Sequence, residues 1–226
     1  MGKVGSVSIN HALRDKGIKT LHAHWMQGEY PRSEFPTNKS KIVYKVKNNK
    51  TPPLKIITLI REPVGRNISA FFQNMPKYHS NIAKISVEGL QDIFLNKYII
   101  DYPDLWFKYE LMDLFNFDPF KERFDYKKGY KIYKTGKHKI LILRLEDCDR
   151  ILSEALYKLL KVKNIKMLRR NVTDEKGHIT ARTKYKEFKL LSFPEEFLDK
   201  NYNLKYAKHF YKKEELDNFK SNWSVK

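Results

Sequence analysis

Hydrophobic positions along the chain fall into two kinds of run. Three short apolar runs predict strands: Ile18–Trp25 (IKTLHAHW), Lys55–Ile60 (KIITLI) and Lys139–Leu145 (KILILRL). The last two are almost continuously apolar, as parallel strands covered on both faces are. Elsewhere apolar residues recur at the three- and four-residue spacing of a helix. That spacing predicts helices over Ser6–Asp15, Pro63–Asn74, Ser86–Ile99, Asp104–Phe115, Asp149–Leu160 and Lys213–Trp223. Pro63 suits a first helical turn, whose N–H has no partner in any case. Lys47–Pro53 is polar and reads as a loop before the second strand. Lys163–Asn203 is basic and punctuated by Gly177 and Pro194. It is expected to be irregular or to form a mobile cover. Alternation of strands and helices predicts an α/β fold with a mostly parallel sheet.

Composition changes this picture in two ways. The AVILMFWYC residues make up 41% of the 226, including 14 Phe, 14 Tyr and 3 Trp, so a real core is available and wholesale disorder is excluded. Against 26 Asp and Glu stand 45 Lys and Arg, a net charge of +19. Such a surface attracts polyanions, including nucleic acid, an anionic membrane face, acidic sugars or a nucleotide. No helix-turn-helix, zinc-finger or RNA-recognition pattern organises the basic residues, so no specific nucleic-acid partner is expected. A lone cysteine, Cys148, excludes an internally disulfide-stapled fold. No apolar run approaches the ~20 residues of a spanning helix, and the N-terminus lacks a signal-peptide core. A cytoplasmic protein is expected, with a basic surface suited to peripheral contact at the inner membrane face.

Four places carry candidate chemistry. Gly2-Lys3-Val4-Gly5-Ser6-Val7-Ser8 resembles a loop that brings backbone close to a phosphate. Ser6 or Ser8 would cap the following helix, whose N-terminus favours an anion. Lys3 would add a point charge. The pattern is not GxxxxGK[ST], because the lysine precedes the second glycine. A capped helix after a flexible N-terminus is the plainer reading. Arg61 follows the second strand directly, at the carboxyl end where open α/β sheets place ligands. Ser69 lies about two turns into the next helix, so the two could converge on one oxyanion; a surface Arg61–Glu62 pair is the alternative. His22 and His24, at i and i+2 of a strand, would share a face. They could supply a base near neutral pH or form a buried hydrogen-bonded pair. No third ligand lies at metal-like spacing, so no metal site is expected. Arg144, Glu146 and Asp147 end the third strand and read more readily as an architectural ion pair.

Together these motifs resemble the sulfotransferases that use 3′-phosphoadenosine-5′-phosphosulfate, and most of all a microbial branch of capsular polysaccharide synthesis proteins. The similarity is carried by GKVGSVS (2–8), LHAHW (21–25), IITLIREPVGRNISAFF (56–72), DLWFKYELMDLFNFD (104–118), GYKIY (129–133) and LILRLED (141–147). The resemblance implies one sulfotransferase-like domain over 1–226, with a three-layer, P-loop-like parallel sheet flanked by helices. A phosphate loop normally follows a strand, and here only Met1 precedes it, so that first strand is expected to be missing from the chain. Gly2–Ser8 then matches the 5′-phosphosulfate loop, with Lys3 as its lysine. Arg61 and Ser69 match the pair that grips the 3′-phosphate. His22 and His24 match a His-x-His in which one histidine is the base. The implied reaction moves a sulfuryl group to a hydroxyl, on a glycan or an anionic glycan, releasing 3′,5′-ADP without a metal.

Two other classes stay open at this point. A P-loop kinase or NTPase would need a Ser or Thr after the loop lysine and an acidic strand end. Val4 follows Lys3, and Arg61 follows the strand. A non-catalytic polyanion-binding protein would explain the charge but not two anion grips, and a degenerate relative would fit the missing first strand.

Overall fold

The structure, a computed structural model, describes residues 1–27, 37–75, 84–165 and 179–224, with backbone alone at 37–40 and 179–180. In chain order its elements are α1 (Ser6–Arg14), α2 (Thr37–Lys47), β1 (Lys55–Ile60), α3 (Pro63–Gln73), α4 (Val87–Lys97), α5 (Tyr102–Phe107) and α6 (Asp113–Phe115). Then follow β2 (Tyr130–Thr135), β3 (His138–Arg144), α7 (Cys148–Leu160), α8 (Ile179–Phe188), α9 (Glu195–Tyr202), α10 (Lys205–Phe210) and α11 (Lys213–Ser221). One π-helical turn, Lys108–Met112, joins α5 to α6. The chain clusters into two compact units, Met1–Ile60 with Tyr102–Leu168, and Arg61–Asp101 with Arg169–Lys226.

The first unit is mixed α/β. Its three strands lie in the order β1-β3-β2. β1 pairs parallel with β3, Ile57 opposite Leu141, whereas β2 pairs antiparallel with β3, Tyr133 opposite Ile140. The sheet is therefore mixed, with one parallel and one antiparallel pair, which corrects the expectation of a mostly parallel sheet. The reason is local: Gly136, at φ 52, turns β2 straight into β3, and a tight hairpin can join only antiparallel strands. Central β3 fits its continuous apolar run, since Ile140, Leu141, Ile142 and Leu143 are fully buried. The edge strand β2 carries Lys131 and Lys134, each directly after a buried tyrosine, Tyr130 and Tyr133, a charged edge that discourages further pairing. Against β2 and β3 packs α7, through the stripe Ile151, Leu152, Ala155, Leu156 and Leu159.

At the start of β3, His138 Nδ1 accepts the backbone N–H of Leu54 at 3.1 Å, so the neutral ring carries its hydrogen on Nε2. Burial, with Lys137 beside it, holds this histidine below its ordinary 6.5. A lowered folded-state pKa means the unfolded chain binds more protons as pH falls below that value. Stability from His138 is thus present above 6.5 and lost as pH drops beneath it. The melting temperature is expected to fall from pH 7 to pH 5, and the fall to be shallower in His138→Asn, whose amide oxygen replaces Nδ1. Equal slopes in the two proteins would remove His138 from this account.

The second unit is helical. α3 packs on α9, α4 on α8, and α9 on α10 and α11. Its core is aromatic: Phe94 is surrounded by Phe71, Tyr98, Phe188, Phe193 and Phe197, with ring centroids 5.1–5.9 Å away. The stretch Lys163–Asn203, expected to be irregular, instead forms α8 and α9 over much of its described part. Phe188, Phe193, Phe197 and Leu198 there are at most 7% exposed, so burial of a few large side chains outweighs a lysine-rich sequence. Residues 166–178 of that stretch, Gly177 included, lie outside the described residues.

Candidate functional site

The N-terminal loop turns on two left-handed residues, Lys3 at φ 63 and Gly5 at φ 82. Between them Val4 is fully buried and anchors the loop in the core of the first unit. Glycine accepts such a backbone freely, but a lysine there costs roughly 1 kcal/mol or more, and residues held so cluster at functional sites. Gly5 is the N-cap of α1 and has no side chain with which to cap it. This corrects the expected serine cap. Ser6 is already the first helical residue, and Ser8 is buried at 5% exposure. The N-cap side chain therefore offers no acceptor to the first turn of α1, and the positive end of a helix is a place that suits an anion.

Ser6 points elsewhere. Its Oγ shares a 3.0 Å hydrogen bond with His22 Nε2, the donor being set by the ring's tautomer. The His22 and His24 rings meet edge to face at 4.8 Å. A Cβ placed on Gly2 would lie 3.7 Å from His24 Nδ1, so the imidazole rests against the loop backbone. Gly2, Ser6, His22 and His24 are thus brought together as expected, although not by the expected strand. Ile18–Trp25 has no sheet partner and no regular structure.

What holds this segment is the helix over residues 102–115. Trp106 Nε1 donates to the His24 carbonyl at 2.7 Å. Glu110, 3% exposed, accepts the backbone N–H groups of Met26 at 2.7 Å and Gln27 at 3.0 Å, one on each carboxylate oxygen. Gln27 Nε2 donates to the Tyr109 carbonyl, and Trp25 stacks edge to face on Tyr102. Side chains from one helix thus supply the partners a neighbouring strand would have supplied, so the backbone needs no sheet. Glu110 and Tyr109 lie in the π-helical turn, a local rewinding frequent at functional sites. Sequence reading missed Glu110. The available signal was a carboxylate four residues after Trp106, on the apolar face of a helix.

Arg61 and Ser69 belong to the second unit. Ser69 is 2% exposed within α3. Arg61 is half-buried, and its backbone carbonyl accepts the Tyr206 hydroxyl at 3.0 Å. Glu62, which the alternative reading placed in a surface pair with Arg61, is a buried N-cap. Its carboxylate accepts Gly65 N–H at 2.5 Å and Val64 N–H at 3.0 Å, and Tyr202 Oη donates to it at 3.1 Å. Burial, then the adjacent Glu62 carboxylate, push the Tyr202 phenol far up, so it stays a donor. A Cβ on Gly65 would sit 2.1 Å from Glu62 Oε1 and 3.0 Å from Arg61 Nη2, which explains the glycine. Arg66 and Asn67 complete a buried network: Arg66 Nη1 donates to Asn67 Oδ1 and Tyr98 Oη, and Asn67 Nδ2 donates to Asn201 Oδ1 and the Ile100 carbonyl. Much of REPVGRNIS therefore serves the architecture of this unit. Arg144 does likewise in the first unit, its Nε paired with Asp147 at 2.5 Å.

Among the described residues no group of three or more His, Cys, Asp and Glu side chains could hold a metal ion, and no helix is long and apolar enough to cross a membrane. The model of the NKWYS family, described as "Putative capsular polysaccharide synthesis protein", matches residues 79–212, more than half of the chain. The chain belongs to this family. The part matched to the capsular polysaccharide family includes Trp106 and Glu110, which hold the histidine segment, and begins after the glycine loop, His22, His24, Arg61 and Ser69. No curated protein and no solved structure matches the chain.

Proposed function

We propose that this member of the capsular polysaccharide family is a group-transfer enzyme that moves a sulfuryl group from 3′-phosphoadenosine-5′-phosphosulfate to a glycan hydroxyl. The observation that carries the reading is the left-handed loop at Lys3–Gly5, leading into the start of α1, lying in one unit with the paired imidazoles. An anion grip and a proton acceptor are what such a transfer requires. In it, the acceptor oxygen bonds to sulfur, the bond from sulfur to the 5′-phosphate oxygen breaks, and the hydroxyl proton goes to a base. The start of α1 and Lys3 would hold the 5′-phosphosulfate and offset charge on the departing oxygen. His24 would take the proton, and His22, tied to Ser6, would hold its neighbour's ring in place. Resemblance, and the residue types themselves, assign Arg61 and Ser69 to the 3′-phosphate. This reading also supports a P-loop-like ancestry for the sheet and a nucleotide-binding role for the loop.

Thermal shift tests it. 3′,5′-ADP without metal is expected to stabilise the protein, by about 2.7 kcal/mol at ~100 times Kd. Mg²⁺-ATP is expected to do less; the reverse order would favour a kinase. Arg61→Ala should lose most of the 3′,5′-ADP shift. His24→Ala should keep the shift and lose roughly 10²–10⁴-fold in transfer of labelled sulfate to polysaccharide. Full transfer by His24→Ala would end the assignment of the base.

A further inference from the structure

A groove of about 560 Å³ opens in the first unit, where the end of α2, the end of α6 and the β2–β3 turn meet. None of the residues discussed so far as donor-binding or catalytic lines it. Each of its three walls ends on a left-handed residue: Asn49 at φ 55, Asn116 at φ 50 and Gly136 at φ 52. Two of the walls are tied together, since Lys137 Nζ donates to the Asn49 carbonyl at 2.9 Å.

The lining has a specific chemistry. Asp113 is exposed and, as a carboxylate, only accepts hydrogen bonds. Asn116, also exposed, both donates and accepts. His138, its Nδ1 occupied by the Leu54 N–H, has its hydrogen on Nε2 and is a donor. Phe115, half-buried, supplies an apolar ring. Lys47 and Lys137 add positive charge. A free phosphate or sulfate, with at most one or two O–H groups, would leave the Asp113 carboxylate short of donors. A sugar suits all of these groups: its hydroxyls donate to the carboxylate and accept from amide and imidazole, and its C–H face packs on the ring. The two lysines extend the match to a uronic acid.

We propose that this groove is a saccharide-binding site, seating a hydroxyl-rich, uronate-bearing chain through Asp113, Asn116 and His138. The observations do not depend on the donor chemistry proposed above. The test uses sugar alone, so it can fail while 3′,5′-ADP binds, or succeed while it does not.

Backbone-amide NMR titration of the full chain with hyaluronan hexasaccharide, maltohexaose and inorganic phosphate decides the matter. Hyaluronan hexasaccharide is expected to shift Asn49, Asn116 and Gly136 in the millimolar range, maltohexaose to shift them more weakly, and phosphate to leave them in place. Asp113→Ala, at an exposed position, should weaken sugar binding about tenfold or more, the size of a lost hydrogen bond to a charged group. Asn116→Gly keeps the left-handed turn while removing the amide, and should also weaken binding. The proposal is overturned if neither sugar moves these amides, if phosphate moves them as the sugars do, or if both variants bind sugar like the parent.

Discussion

Replacing Phe94 by alanine is expected to destabilise the protein by about 3–5 kcal/mol, the usual cost of removing a fully buried ring. The ring is 0% exposed and touches five others from α3, α8, α9 and the segments between, so no single neighbour can move in to fill the space. Phe94→Leu, which leaves a smaller void, should cost clearly less. Urea denaturation gives the totals. Hydrogen exchange places them, because the amides of α4 and α9 should lose protection first. A loss below about 1 kcal/mol for alanine would mean that the aromatic cluster is not the centre of this unit.

The second large effect is expected at Glu110. In Glu110→Gln one oxygen remains an acceptor, but the new amide N–H₂ faces a backbone N–H that already donates. Leaving that buried donor unmet costs about 1–3 kcal/mol. The expected readout is local: Met26 and Gln27 amides should exchange faster, by roughly tenfold for each 1.4 kcal/mol, while those of β3 keep their protection. Trp106→Phe, which removes only the donor to His24, should loosen the same segment less. Unchanged exchange at Met26 and Gln27 in Glu110→Gln would show that the carboxylate does not hold the histidine segment.

These two sites show where the sequence was legible. β1, β3, α1, α3, α4 and α7 were expected nearly at their observed bounds, because each has an apolar run or stripe dense enough to reveal its period. β2 was not, since two tyrosines among lysines leave no clear alternation. The segment Ile18–Trp25 looked like a strand because its composition is that of one. Its hydrogen-bond partners are side chains more than eighty residues away, and nothing local encodes that. The closeness of the glycine loop to His22 and His24 was implied by the resemblance that their motifs carry, and no local pattern encodes it. Glu62 carried a readable signal, an acid before a proline at a helix start, but its carboxylate looked the same as a solvated one. Asp113 and Asn116, ordinary surface residues in sequence, acquire their interest only from the two other turns that the fold sets beside them.

Cys148 has a use that follows from its place at the start of α7. Its thiol donates to the Arg144 carbonyl, and burial beside Glu146, Asp147 and Asp149 pushes its pKa up to about 12. At neutral pH almost none of it is the thiolate that alkylating and oxidising reagents attack. As the sole sulfhydryl, it makes the unmodified polypeptide its own stopwatch: reagent uptake can proceed only as fast as that helix lifts from the sheet.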